Sequence, residues 1–242
     1  LANARLSEKS ARGYARAAPL ARAALESLTC VVAQTPADAQ RLERLGARSV
    51  EIAGNLKFDV VAPEGAAALA AEFRRRYGPR RVFLAASTRE GEEEAILDAL
   101  QRHPLDPALV LIVPRHPQRF AEVAKLFERR GLQFARRSDE AAVASGCRLV
   151  LGDSMGEMAA YYASCDVALI GGSLLPYGAQ NFIEACAAGA PVLIGPSTYN
   201  FAQAAAEAVA CGAALQVADA DRAVAEARRL LGDAPALKKM SL

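Results

Sequence analysis

Short runs of β-branched and large apolar residues alternate with helix-period segments along almost all 242 residues. That alternation restricts the chain to a parallel sheet covered by helices, because each strand must return through a crossover before the next can pair beside it. Strands are expected at residues 30–33, 50–53, 82–86, 109–113, 149–151, 167–170, 191–194 and 215–217. Helices are expected at 14–27, 36–45, 65–77, 91–102, 117–130, 156–164, 179–188, 202–210 and 221–231. Sustained period-2 alternation and internal repeats are absent, so the class is α/β with a doubly wound, Rossmann-like sheet.

The stretch GNLKFDVVAPEG at 54–65 interrupts this rhythm with proline and glycine between a strand and a fresh helix. It divides the chain into residues 1–57, 58–235 and a tail at 236–242. The middle segment has enough strands for a complete doubly wound domain. The first holds two strands and two helices, too little to close a sheet, and reads as the trailing part of an N-terminal α/β domain. The chain opens on Leu1 and NARLSEKS, which resembles a loop leaving an earlier strand, so a fragment of a longer protein is expected.

Composition narrows the function classes. Lys plus Arg total 29 against 27 for Asp plus Glu, and the basic residues are dispersed, which argues against a nucleic-acid surface or an anionic-membrane surface. Five scattered cysteines without Cys-x-x-Cys pairs argue for a reducing compartment and against structural zinc. His103 and His116 are the only histidines and neither sits at metal-ligand spacing from another His or Cys, so no metal or other cofactor is expected. No apolar run reaches the roughly 18 residues of a spanning helix, and no signal peptide opens the chain, so this polypeptide is expected to be soluble.

In open parallel sheets ligands bind beyond the carboxyl ends of the strands, and four loops there carry chemistry. In AASTREGEEE, Ser87 and Thr88 either cap the next helix or leave its N–H groups to a modest anion. In VPRHPQRF, Arg115 and His116 sit between prolines, either as a solvated loop or as a fork and a donor for phosphate or carboxylate. In LGDSMGEM, Ser154 and Glu157 have capping-box spacing, while Gly156 is unexplained by a cap and would suit a nucleobase lying on Met155 and Gly156. In GGSLLPYGAQNFIEACAAG, Asn181 and Glu184 are three apart. They are either a cap and its partner or a phosphate contact and a ribose-hydroxyl acceptor, with Gly171 and Gly172 clearing room for the ligand.

Taken together, NARLSEKS, GNLKFD, AASTREGEE, PRHPQRF, LGDSMGEM, GGSLLPYGAQNFIEACAAGAPVLIGP and the Asn200–Phe201 pair resemble the Kdo transferases. These are the 3-deoxy-D-manno-octulosonic acid transferases of lipopolysaccharide assembly, GT-B glycosyltransferases that act on lipid A. The resemblance runs from about residue 3 to 232. It implies inverting transfer of Kdo from CMP-Kdo to a lipid A precursor, with a hydroxyl as nucleophile and CMP as leaving group, at the cytoplasmic face of the bacterial inner membrane. The family's catalytic base is a Glu early in the N-terminal domain, so no catalytic residue is assigned here and the isolated chain is expected to bind CMP without transferring Kdo.

The resemblance adds Gly172, Ser173 and Gly178 to the donor site. It also adds Lys57, either for the Kdo carboxylate or phosphate or as a hinge salt bridge, and Asn3 and Arg5 from the other side of the cleft. Four positions depart from the commonest family wording: Arg89, Gln180, Phe182 and Ser197. Rival readings are a GT-B enzyme using a UDP-sugar, such as a 2-epimerase, and a non-catalytic nucleotide-binding module.

Overall fold

Proline and glycine at 54–65 fall where the fold changes hands: the computed structural model divides into two compact units, residues 1–60 and 61–242. Residues 1–59 and 62–241 are described; the Lys57 side chain expected at the donor site lies outside them.

In the first unit, Ser7 caps α1 (Glu8–Ala15) by accepting from the Ser10 N–H. The chain then breaks at Ala17 and restarts as α2 (Ala18–Glu26) with a proline in its first turn. One helix at 14–27 was expected. Pro19 prevents it, since its ring would clash with the carbonyl four residues back while fitting the first turn of a new helix. Strand β1 (Val31–Ala33), α3 (Pro36–Arg44) and β2 (Val50–Ile52) follow, the strands pairing in parallel. Ala4, Leu6, Val31, Ala33, Ala39 and Leu42 form a small separate core.

The second unit runs α4 (Ala66–Tyr77), β3 (Val82–Thr88), α5 (Glu92–Arg102), β4 (Leu109–Pro114), α6 (Gln118–Arg129), β5 (Phe134–Arg136) and β6 (Leu149–Leu151). It continues through α7 (Met158–Ser164), β7 (Val167–Ile170), α8 (Ile183–Ala187), β8 (Val192–Ile194), α9 (Ala202–Ala210), β9 (Ala214–Gln216), α10 (Ala220–Leu231) and α11 (Ala234–Met240). The sheet is parallel throughout, in the order β5-β6-β4-β3-β7-β8-β9. Beyond β4 the chain builds toward one edge, then returns to pair β7 against β3 and builds toward the other. The ends of β3 and its neighbours therefore form the switch point where such sheets take ligands.

Strand β3 explains why both faces are covered. Phe83 and Ala85 join one core with Ile96 of α5, Phe127 of α6 and Val224 of α10. Leu84 and Ala86, also fully buried, point to the opposite face by the period-2 rule. There α4 and α7 pack together, with the Phe73 and Tyr161 rings 4.9 Å apart.

Two expectations need correction. Strand β5 was not anticipated: Phe134 is the one strong strand former in a three-residue edge. The expected tail at 236–242 is largely the helix α11, capped by Asp233 accepting from the Ala236 N–H, with Leu237 buried in the core. Among the described residues no helix is long and apolar enough to cross a membrane.

Candidate nucleotide site

Beyond the carboxyl ends of β3, β4 and β6 lies a cavity of about 330 Å³, closed on its far side by the segment entering α8. It brings together Ser87, Arg115, Met155, Gly156, Glu157, Asn181 and Glu184, residues drawn from four loops spread over almost a hundred positions. Gln180 and the partly buried Ser154 complete its polar lining.

Arg115 stands exposed at the tip of β4, its backbone N–H donating to the Thr88 carbonyl at 3.0 Å. Its Nε donates to Gln180 Oε1 at 3.0 Å, which aims the guanidinium and leaves the terminal nitrogens for a ligand. Asn181 Nδ2 donates to Glu184 Oε1 at 2.8 Å, and Asn181 Oδ1 accepts from the Ile183 N–H at 3.1 Å. The helix expected from 179 begins only at Ile183, because Ala179 is left-handed at φ 66° and Asn181 caps by an Asx turn. Asn181 is thus already a cap, while Glu184 keeps acceptor capacity, since a carboxylate takes about four hydrogen bonds.

Met155 is exposed, and Gly156 adopts φ 78° with open space where a Cβ would stand. A left-handed turn accounts for this glycine. Ser154 and Glu157 do not form the expected capping box. Helix α7 starts at Met158 without a side-chain cap, and the Ser154 hydroxyl instead donates to the Glu157 carboxylate.

Several expected site residues are placed elsewhere. Neither Ser87 nor Thr88 caps α5, whose N-cap is Gly91. Thr88 is buried, its hydroxyl donating to Glu93 Oε1 at 2.8 Å. Ser173 is fully buried, donating to the Ile170 carbonyl and accepting from the Gly195 N–H at 2.8 Å. The Gly172 N–H, expected at the donor site, donates to Glu92 at 2.7 Å. The Gly178 N–H donates to Ser197 Oγ at 2.9 Å, and a Cβ there would lie 2.5 Å from Asn200 Nδ2. His116 is exposed on the loop without lining the cavity. Asn3 and Arg5 belong to the first unit, where Asn3 Oδ1 accepts from the Leu56 N–H at 3.2 Å and Arg5 is exposed.

The glycines therefore have a cause different from the expected one. A Cβ on Gly171 would stand 2.2 Å from the Ser87 carbonyl oxygen and 2.6 Å from Thr88 Cα. At this position backbone approaches backbone, sealing the β7 loop against the end of β3. The departures from family wording also have places in this frame. Arg89 lies over the Tyr177 ring at 4.7 Å, Phe182 packs edge-on against Phe201 at 5.9 Å, Ser197 holds Gly178, and Gln180 holds Arg115.

Sequence reasoning missed two residues here. Arg137 pairs with Glu157 through a two-bond fork, and Glu92 anchors the glycine loop from inside. A run of glutamates at a helix start gives no sign that two of them, Glu92 and Glu93, are fully buried.

Comparison with known proteins identifies the family. Residues 1–60 match the family described as 3-deoxy-D-manno-octulosonic-acid transferase (kdotransferase). The whole chain is 43% identical to the 3-deoxy-D-manno-octulosonic acid transferase of Bordetella pertussis, covering 58% of it. With that of Haemophilus influenzae it shares 35% identity over 83% of this chain, covering 48% of the relative. The chain thus spans about half the length of the curated relatives it matches.

Among solved structures, the C-terminal CMP-Kdo binding domain of WaaA from Acinetobacter baumannii superposes with a TM-score of 0.70 at 30% identity. That match covers 74% of this chain and 95% of the domain. Anabaena HepE in complex with UDP and glucose, at TM-score 0.54 and 16% identity over 98% of this chain and 61% of its own, shares the fold alone. The sheet order, the likeness to GT-B structures and the identities above carry one conclusion: the chain belongs to the 3-deoxy-D-manno-octulosonic acid transferase family.

Proposed function

We propose that the cavity binds the CMP moiety of CMP-Kdo, and that this chain is the donor-binding part of an enzyme that transfers Kdo from that donor to a lipid A precursor at the cytoplasmic face of the bacterial inner membrane. The observation that carries this reading is the convergence of Arg115, the Asn181–Glu184 pair and the Met155–Gly156 turn on one space of about 330 Å³. That volume is at the small end of ligand sites and suits a mononucleotide. Arg115 meets the phosphate, Glu184 accepts from the ribose hydroxyls, and the base rests on Met155 and Gly156. His116, exposed beside Arg115, belongs to the same proposal as a contact for the departing phosphate. A departing phosphate gains most from cations held in place before reaction, as Arg115 is by Gln180.

Titration of the chain with CMP and with UDP tests the donor class. CMP is expected to bind, and submillimolar affinity for UDP with none for CMP would overturn the reading. Glu184→Ala is expected to weaken CMP binding by about 1–3 kcal/mol, the range for leaving buried polar groups unpaired, with an unchanged melting temperature. A variant that melts early but binds CMP normally in its folded fraction would return Glu184 to a purely structural role.

A further inference from the structure

Strands β3 and β4 end side by side, and each empties into an arginine. Thr88 of β3 pairs with Pro114 of β4, and the next residue on β4, Arg115, donates its N–H to the Thr88 carbonyl at 3.0 Å. Arg89 and Arg115 therefore leave neighbouring strands, whose backbones lie about 4.8 Å apart in a sheet. The loop after β7 braces both side chains. Gln180 accepts from Arg115 Nε at 3.0 Å, and the partly buried Arg89 guanidinium lies over the Tyr177 ring, 4.7 Å from its centroid. The two braces stand together, since a Cβ on Gly172 would lie 3.0 Å from Gln180 Nε2 and 3.5 Å from Tyr177 Cβ. The Tyr177 hydroxyl donates to the Glu90 carbonyl at 3.3 Å, which fixes the ring against Arg89.

Neither guanidinium has a counter-charge. Among the described residues no ion pair reaches Arg89 or Arg115. The buried carboxylates close by are already engaged: Glu92 accepts three backbone N–H groups, and Glu93 takes the Thr88 hydroxyl and Arg119. Stacking on a ring face leaves the N–H edges of a guanidinium open in its own plane, and Gln180 occupies only the Nε of Arg115. Two adjacent cations with open donors suit two anionic groups close together.

The proposed donor carries such a pair. In an octulosonic acid the anomeric carbon bears the carboxylate and, in the nucleotide-activated form, the phosphate oxygen as well, so one carbon separates the two charged groups. We propose that Arg89, held against Tyr177, binds the carboxylate of the donor sugar while Arg115 meets the phosphate, and that this second contact selects an acidic sugar over a neutral one. The proposal rests on the reading of the neighbouring cavity as a CMP site. Arg89 is also one of the four departures from the commonest family wording, so the contact is a property of this chain.

Two stable esters of CMP test it by equilibrium titration: the carboxymethyl ester, whose carboxylate stands one carbon from the phosphate oxygen as in the donor, and the methyl ester, which lacks it. The carboxymethyl ester should bind the unaltered protein roughly 10- to 100-fold more tightly than the methyl ester, the range for a hydrogen bond between charged groups. In Arg89→Ala this ratio should collapse toward one through a loss for the carboxymethyl ester, and Arg89→Lys, which keeps the charge without the fork, should retain part of it. A merely structural role for Arg89 would weaken both esters equally and leave the ratio intact, which would overturn the proposal. So would a ratio near one in the unaltered protein, a result that needs no variant to fold. Failure of both esters to bind the unaltered protein would instead remove the CMP reading itself, and this proposal with it.

Discussion

Gly171→Ala is expected to destabilise the second unit by about 3 kcal/mol or more, at the upper end of the cost of forcing atoms into a packed site. The new methyl would lie 2.2 Å from the Ser87 carbonyl oxygen, 2.5 Å from the Ser87 carbonyl carbon and 2.6 Å from Thr88 Cα. All three are main-chain atoms, so no rotamer change makes room. They are also held: the Gly171 N–H donates to the Ala86 carbonyl at 2.7 Å, and its own carbonyl accepts from the Gln180 N–H at 2.9 Å. Ser87 sits at the register shift near the end of β3 with φ 56°, a conformation it keeps only under outside constraint. Separating the strands by the missing ångström would break these bonds and displace Gln180, hence Arg115. Thermal melting should fall by roughly 10 °C for a unit of this size, and CMP binding should fall with it. Gly156→Ala is the matched control. Its φ of 78° costs a side chain about 1–2 kcal/mol, but its Cβ meets nothing within 4 Å, so the fold should persist. A Gly171→Ala protein that melts with the unaltered chain would refute the close approach.

The contrast between these glycines shows where the sequence could be read and where it could not. Strand bounds at 149–151 and 167–170 coincide with β6 and β7, because a buried parallel strand writes itself as a continuous apolar run. Arg115 was legible because prolines on both sides announce a built loop at a strand end. The glycine-rich loop after β7 was legible as a constrained place but not as to what constrains it: a glycine cleared for a ligand and one cleared for another strand look alike until partners are in space. Long-range pairs were beyond reach for the same reason. Arg137 and Glu157 are 20 residues apart, with Arg137 opening an unanticipated helical turn after an unanticipated edge strand and Glu157 at the start of α7. Glu92 and Gly172 are separated by 80 positions. Where a residue's role was local, as with Pro19 ending one helix and starting another, the chemistry was present in the sequence and was under-weighted.

Glu92→Gln is expected to be damaging despite its matching size, with a loss of about 1–3 kcal/mol, and Glu92→Ala more damaging still. Glu92 is fully buried, and its carboxylate accepts three backbone N–H groups. Oε2 takes Arg89 at 2.8 Å and Gly172 at 2.7 Å, while Oε1 takes Leu174 at 3.0 Å. Each buried donor left unpaired costs about 1–3 kcal/mol, so Ala strands three of them. Gln strands at least one and sets its own N–H₂ against another N–H, since an amide has acceptors on one end only. The carboxylate also stands at the first position of α5, where the helix dipole favours negative charge and an amide gives that up. Both variants should therefore melt earlier and bind CMP more weakly, because the loop that Glu92 pins leads directly into Gln180 and Asn181. Hydrogen exchange at the Gly172 and Leu174 amides gives the site-resolved check: protection there should fall in Glu92→Gln before it falls in the core strands β3 and β4. If the Glu92→Gln variant preserved that protection, the neutral acceptor would suffice and the charge would have no part in holding the loop.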